Sequence, residues 1–201
     1  TKRHYKCREF MKLLMLDNYD SFTYNLAYLI KETGCEIEVL RNDKCTPETA
    51  KHFDGVILSP GPGVPSESGN MPVIIDRLKG QLPMLGVCLG HQAIAESLGA
   101  QLSNMPIVHH GTQSTVRVQR KESCLLHGLP MEFKVGRYHS WQVSKESLPG
   151  NVHVTVVDQE GQIMALECPE LRMYGLQFHP ESVMTPKGAT LIHNFIQICR
   201  K

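Results

Sequence analysis

The 201-residue sequence lacks an excess of charge of either sign and lacks any long hydrophobic run. Lys and Arg number 21 and Asp and Glu number 20, so the formal net charge is +1. No overall electric field therefore attracts nucleic acid or an anionic membrane. No stretch approaches the roughly 18 apolar residues of a membrane span, and no secretory signal is visible. We expect neither a nucleic-acid partner nor a membrane partner.

Paired cysteines are also lacking, although the sequence contains seven cysteines. They are scattered and none belongs to a CxxC pair, which argues against a disulfide framework or a structural zinc site. We expect a cytoplasmic protein without a metal or other cofactor, and we interpret His109 and His110 as loop residues. The basic, aperiodic residues 1–11 are interpreted as an N-terminal arm that precedes one domain at 12–201.

Short apolar runs alternate with helical patterns in the first half of the chain. Strands are predicted at 12–16, 36–40, 55–58 and 84–87, and helices at 21–33 and 91–98. This order is typical of βαβ units. Beyond residue 101, alternating segments at 115–118, 152–157 and 163–167 predict antiparallel strands, and a closing helix is predicted to begin near Thr185 and Pro186. The predicted fold class is α/β, an open and mostly parallel sheet flanked by helices, with a smaller antiparallel region.

A cysteine between glycines follows the fourth predicted strand. The segment GVCLG at 86–90 has the form G-x-nucleophile-x-G, with Cys88 at the centre. Glycines permit a sharp strand-to-helix turn that exposes the central side chain, and the dipole of the following helix stabilises a thiolate. The pentapeptide alone is equally consistent with a buried structural cysteine. Cys88 is our candidate nucleophile.

A rigid loop of prolines and glycines, SPGPG at 59–63, follows the third predicted strand. Ligands of parallel sheets bind beyond the carboxyl ends of the strands, so we expect this loop near Cys88. A backbone N–H of Gly61 or Gly63, together with that of Leu89, is a candidate oxyanion hole. Taken by itself, the loop is more simply interpreted as an ordinary tight turn.

The segment YGLQFHPE at 174–181 contains a candidate general base and an acid to orient it. Residues two apart in an extended chain project the same way, so we expect His179 to meet Cys88 while Glu181 holds the far ring nitrogen. A histidine beside an acid is common in a chain with ten histidines. The combination with the glycine-flanked cysteine is the informative feature, and His91 is interpreted as a packing residue.

Several of these segments together resemble the class I, or triad, glutamine amidotransferases, which have a flavodoxin-like fold. They are SPGPGVPSESG, GVCLGHQAI, YHSW and QFHPES. The segment LDNYDSFTYNL resembles more narrowly the glutamine amidotransferase subunits of anthranilate synthase, known as component II, and of 4-amino-4-deoxychorismate synthase. The resemblance implies a triad of Cys88, His179 and Glu181. It implies that Cys88 forms a γ-glutamyl thioester with L-glutamine, and that ammonia passes to a chorismate-binding synthase subunit, which is component I of either enzyme.

The resemblance also implies a set of glutamine contacts, two of which, Gly61 and Leu89, would stabilise the oxyanion. Trp141 departs from the family pattern, which commonly has leucine there, and Thr112 stands where relatives often have lysine. The first departure bears on the shape of the pocket and the second on local charge or on the contact with the partner. The implied contact residues are Gly61, Pro62, Gly63, Leu89, Gln92, Ser140 and Trp141.

A first choice and three alternatives to it remain open from the sequence. The subunit supplies ammonia for anthranilate in tryptophan biosynthesis, our first choice, or for 4-amino-4-deoxychorismate in folate biosynthesis. A stand-alone thiol hydrolase on the same fold would need no partner, and a non-catalytic binding module would not use Cys88 at all. An α/β-hydrolase is disfavoured because its acid normally precedes its histidine by a long interval, whereas Glu181 follows His179.

Overall fold

A computed structural model describes residues 11–201, which contain eleven strands and five α-helices. Residues 1–10, and with them nearly all of the predicted N-terminal arm at 1–11, lie outside the described residues. The helices are α1 (Thr23–Lys31), α2 (Pro47–Ala50), α3 (Met71–Leu78), α4 (Leu89–Ser97) and α5 (Gly188–Cys199). The strands are β1 (Lys12–Asp17), β2 (Glu36–Arg41), β3 (Gly55–Leu58), β4 (Met84–Val87), β5 (Leu102–Asn104), β6 (Thr112–Val118), β7 (Glu132–Arg137), β8 (Trp141–Val143), β9 (His153–Asp158), β10 (Ile163–Cys168) and β11 (Met173–Leu176).

One large sheet changes from parallel to antiparallel pairing across its width. Its strand order is β2-β1-β3-β4-β11-β10-β9-β6-β7. The strands from β2 to β11 pair in parallel, and the strands from β11 to β7 pair in antiparallel fashion. Strands β5 and β8 form a separate antiparallel pair. The predicted α/β class is confirmed, with most of the antiparallel region continuing the main sheet.

Helices cover both faces of the parallel half, which explains why its inner strands β1, β3 and β4 are continuous apolar runs rather than alternating ones. Strands β3 and β4 are buried along their whole length. On one face, Leu26 of α1 and Phe195 of α5 join a first core cluster. On the other face, Ile74 of α3 and Ile94 of α4 join a second. Each such side chain, once fully buried, stabilises the fold by about 1.5–3 kcal/mol.

Three helix starts differ from the sequence prediction, and the first is that of α1, which begins at Thr23 rather than at residue 21. Helix α5 begins at Gly188 rather than near Thr185 and Pro186. The Thr185 hydroxyl donates instead to the carbonyl oxygen of His179 at 2.7 Å and accepts from the N–H of Gly136 at 2.9 Å. Thr185 therefore ties the His179 loop to β7 and cannot serve as a helix cap. Helix α4 begins at Leu89, two residues before the predicted position.

The loops after strands β1, β3, β4 and β11 meet at the carboxyl ends of these strands, because the strands are parallel neighbours. Asn18, after β1, donates its side-chain N–H to the carbonyl oxygen of Ser59, after β3, at 2.8 Å. In the pairing of β4 with β11, Val87 lies opposite Leu176. The residues that follow these two strands therefore emerge side by side. Within residues 11–201, the helices are all too short or too polar to span a membrane.

Candidate active site

Cys88 occupies a strained turn between β4 and α4. Its φ of 53° and ψ of −102° lie in a region that side-chain-bearing residues rarely adopt. Its N–H donates to the carbonyl oxygen of Leu176 at 2.8 Å, which ties the turn to β11. A Cβ atom at Gly86 would collide with the backbone of Gly90, and one at Gly90 with the backbone of Leu58. The two glycines are therefore required by close backbone approach.

The Cys88 side chain is 6% exposed and has polar neighbours. Its Sγ lies 3.8 Å from Nε2 of Gln177 and 3.9 Å from the carbonyl oxygen of Tyr138. The sulfur therefore lies among polar atoms as well as among the apolar side chains of the first core cluster.

His179 and Glu181 form a buried pair beside this turn. Nδ1 of His179 lies 2.7 Å from Oε1 of Glu181, and their side chains are 3% and 0% exposed. The chain between them does not follow the predicted extended path. It turns, and the N–H of Ser182 donates to the carbonyl oxygen of His179 at 3.2 Å. The His179 N–H is held by the carbonyl oxygen of Gly136 at 3.0 Å, so the turn is anchored on β7.

The electrostatics of the site favour a charged imidazole at His179. Burial opposes the charge, but the sulfur of Cys88 and then the carboxylate of Glu181 outweigh it and raise the pKa of His179 to about 10. Nε2 of His179 has no hydrogen-bond partner within the described residues, although it is fully buried. Nδ1 is held by Glu181, so Nε2 is the ring nitrogen that interacts with the Cys88 sulfur.

Two aromatic rings enclose His179. The ring of Tyr138 lies edge-on with its centroid 4.8 Å from that of His179, and the ring of Phe22 lies 5.6 Å away. Phe22 immediately precedes α1, so the loop after β1 contributes to the site. These rings restrict the motion of the imidazole and shield it from water.

The proline–glycine loop lies against the start of α4. A Cβ atom at Gly61 would lie 2.7 Å from the Leu89 side chain and 2.6 Å from that of Asn18, so only glycine fits there. Pro62 and Gly63 are exposed beyond it, and Gly63 has a φ of +73°. Leu89 is the first residue of α4, so its N–H has no acceptor within the helix.

The remaining predicted contact residues are Gln92, Ser140 and Trp141. Gln92 is buried on α4, and its Nε2 donates to the carbonyl oxygen of Trp141 at 3.0 Å and to Oε1 of Gln177 at 3.2 Å. Ser140 and Trp141 are half-buried where β8 begins. The structure thus brings Gln92, Trp141 and Cys88 into one connected neighbourhood.

Sequence reasoning missed Gln177, Phe22 and Tyr138 as site residues. Gln177 lies two residues before His179, and the spacing rule applied to Glu181 would have suggested it. No local signal indicates the carbonyl of Tyr138 or the ring of Phe22, because both reach the site from distant segments.

The other histidines are placed as follows. His91 is fully buried, and burial lowers its pKa to about 3. The rings of His109 and His139 lie 5.5 Å apart, and His110 faces the ring of Tyr138.

In the described part of the chain, no group of three or more His, Cys, Asp or Glu residues is arranged to hold a metal ion. A surface cavity of about 460 Å³ is lined by Cys124 and residues of α5, and it shares no residue with the candidate site.

Comparison with known proteins yields a family model and close relatives. The model of the class-I glutamine amidotransferases matches residues 14–199. The chain is 41% identical over 192 residues to anthranilate synthase component 2 of Azospirillum brasilense, covering 94% of this chain and 97% of that protein. It is also 41% identical over 191 residues, with the same two coverages, to the aminodeoxychorismate/anthranilate synthase component 2 of Bacillus subtilis. A solved structure from Thermoplasma acidophilum, provisionally assigned to a GMP synthase, superposes with a TM-score of 0.85 at 27% identity, covering 95% of this chain and 94% of that one.

Proposed function

Because the chain belongs to the class I glutamine amidotransferase family, we propose that it is the glutaminase subunit of a chorismate-using synthase. It hydrolyses L-glutamine at Cys88 and delivers ammonia to a partner subunit that makes anthranilate. The observation that carries this proposal is the strained turn that presents Cys88 beside the buried His179–Glu181 pair. The choice of a chorismate-using partner is supported by the names of the two relatives, anthranilate synthase component 2 and aminodeoxychorismate/anthranilate synthase component 2.

The first half-reaction forms a thioester and releases ammonia. The Cys88 thiolate attacks the side-chain amide carbon of glutamine, and the carbonyl oxygen becomes an oxyanion held by the N–H groups of Leu89 and Gly61. His179, whose pKa is raised to about 10, donates its Nε2 proton to the amide nitrogen. The C–N bond then breaks, ammonia leaves, and a γ-glutamyl thioester remains on sulfur.

The second half-reaction regenerates the enzyme. Neutral His179 takes a proton from water, and the resulting hydroxide attacks the thioester carbon. The C–S bond breaks, glutamate leaves, and the thiolate again faces an imidazolium. Glu181 accepts the Nδ1 hydrogen bond of His179 throughout, so it keeps the ring oriented and stabilises its charge without itself taking the proton. The sum is glutamine plus water giving glutamate plus ammonia.

Ammonia supply to 4-amino-4-deoxychorismate synthase is the second candidate function. The Bacillus subtilis relative is named for both activities and is as similar to this chain as the relative named for anthranilate synthase alone. The chemistry at Cys88 is identical in both cases, so only the partner and the product distinguish them.

The test is to assemble the chain with component I of anthranilate synthase and, separately, with component I of 4-amino-4-deoxychorismate synthase. Each complex receives chorismate with either glutamine or ammonium ion, and the aromatic product is identified. We expect glutamine-dependent anthranilate formation. Exclusive formation of 4-amino-4-deoxychorismate would replace the first choice by the second. A high glutaminase rate in the isolated chain, unchanged by either partner, would favour a stand-alone hydrolase.

Cys88→Ser and Cys124→Ser form a matched pair of variants. Cys124 is exposed and outside the candidate site, so its replacement should leave both activities unchanged. Cys88→Ser should abolish glutamine-dependent synthesis and leave ammonia-dependent synthesis intact. Retained glutamine-dependent synthesis in Cys88→Ser would refute the assignment of the nucleophile.

A further inference from the structure

A buried polar chain leads from the antiparallel half of the sheet to the candidate glutamine pocket. It starts at Arg137, the last residue of β7, whose side chain is 1% exposed. Nη1 of Arg137 donates to Oδ2 of Asp158 at 2.8 Å, and Nη2 donates to Oε1 of Gln162 at 2.8 Å. The remaining guanidinium nitrogen, Nε, lies 3.1 Å from Nε2 of His139.

The donor-only chemistry of arginine determines where His139 carries its proton. Because Nε of Arg137 can only donate, Nε2 of His139 must accept. The proton of the neutral ring is then on Nδ1, which donates to the carbonyl oxygen of Trp141 at 2.9 Å. Burial lowers the pKa of His139 to about 3, against the opposing hydrogen bond to Trp141, so the ring stays neutral at physiological pH.

The Trp141 carbonyl in turn determines the orientation of the Gln92 side chain. The carbonyl oxygen also accepts from Nε2 of Gln92, which fixes which end of that amide faces β8. The same Nε2 donates to Oε1 of Gln177, whose Nε2 lies 3.8 Å from Sγ of Cys88. The side-chain amides of Gln92 and Gln177 each have only one orientation that makes all of these hydrogen bonds, because a carbonyl cannot donate.

We propose that His139, held by Arg137, is a positioning residue for glutamine: it fixes the Trp141 carbonyl and thereby directs the side-chain carbonyl of Gln92 toward the substrate. This inference rests on the proposed glutaminase function. A purely structural role predicts a loss of stability when the chain of hydrogen bonds is cut. A positioning role predicts a selective loss of glutamine affinity in the folded protein.

Two substitutions at His139 separate the two hydrogen bonds of its ring. In His139→Asn, the side-chain amide reaches the position of Nδ1 and still donates to the Trp141 carbonyl. In His139→Gln, the amide extends toward Arg137 and the donor to Trp141 is lost. We expect KM for glutamine to rise about tenfold in His139→Gln, the effect of one lost hydrogen bond, and to stay within about threefold of wild type in His139→Asn.

The measurement is glutamine-dependent and ammonia-dependent anthranilate formation by the complex with component I, together with the unfolding midpoint of each variant. The ammonia-dependent rate should be unchanged in both. Equal KM values in the two variants would overturn the positioning role. A wild-type complex that uses ammonia but not glutamine would instead refute the proposed function itself.

A second measurement needs no substitution and covers the case in which the variants do not fold. Nitrogen-15 chemical shifts of the imidazoles in the wild-type chain report which ring nitrogen carries the proton. We expect His139 to be the Nδ1–H tautomer at pH 7. The Nε2–H tautomer would show that Arg137 does not donate to this ring, and it would overturn the proposal.

Discussion

Replacing Cys88 by glycine should stabilise the fold relative to replacing it by alanine. Both substitutions remove the sulfur, so they differ only in the methyl group and in backbone freedom. With a φ of 53° and ψ of −102° at this position, a residue with a Cβ atom carries a strain of about 1–3 kcal/mol. Glycine is free of that strain but loses about 0.5–1 kcal/mol more conformational entropy on folding.

The difference leaves Cys88→Gly more stable than Cys88→Ala by about 1 kcal/mol. Urea unfolding followed by circular dichroism measures it, and with a slope of about 2 kcal/mol/M the midpoints should differ by about 0.5 M. Ala93, buried in the interior of α4, provides the control. There Ala93→Gly should destabilise by at least about 1 kcal/mol, because helical backbone favours alanine.

The result that would refute this reasoning is an alanine variant at least as stable as the glycine variant at position 88. Such a result would mean that the turn after β4 is relaxed, and that Cys88 is not presented by backbone geometry.

Three further predictions concern packing and pH. Gly61→Ala should lower glutamine turnover in the complex and destabilise the folded protein by about 1–3 kcal/mol, because a methyl group there would lie within 3 Å of its neighbours. Unchanged turnover and unchanged stability would exclude close packing of the loop. Burial lowers the pKa values of His91 and His139 to about 3 in the folded protein, whereas a histidine in the unfolded chain has a pKa of about 6.5. The free energy of unfolding should therefore decrease as the pH is lowered from 6.5, by about 2 kcal/mol per histidine at pH 5. Urea unfolding at pH 7 and pH 5 should show a smaller fall in His139→Asn than in wild type; an equal fall would contradict the assignment. His179 has the opposite sign: its pKa is raised to about 10, so its contribution is complete below pH 6.5 and is lost as the pH rises through 10. Imidazole shifts should show a lower pKa of His179 in Cys88→Ala, and an unchanged value would mean that the sulfur does not stabilise the imidazolium.

Strands β1, β3 and β4 were predictable because they are buried on both faces and are bounded by clear turn residues. The strand at Gly55–Leu58 agrees with its prediction to the residue. Strands β5 and β8, three residues each, are too short for alternation to identify them. Helix α3 was missed although Met71, Ile74, Ile75 and Leu78 have the spacing of one helix face.

Local chemistry predicted the parts of the candidate site that depend on backbone geometry. Gly86 and Gly90 flank Cys88 in the sequence and indicate a turn in which backbone segments approach closely. This signal is local. The proximity of His179 and Glu181 was expected for the wrong reason, since a turn rather than an extended chain brings them together. The contact of Arg137 with Asp158 was not predictable, because it depends on the pairing of β6 with β7 and β9.

Strand β11 has a consequence for the order in which the protein becomes reactive during synthesis. It lies between β4 and β10, although it follows both in the chain, so this central position is filled only when residues 173–176 have left the ribosome. A nascent chain that ends before them presents a cysteine without an imidazole to pair with it. Under the proposed mechanism, a chain that ends before residue 173 would therefore not cleave glutamine.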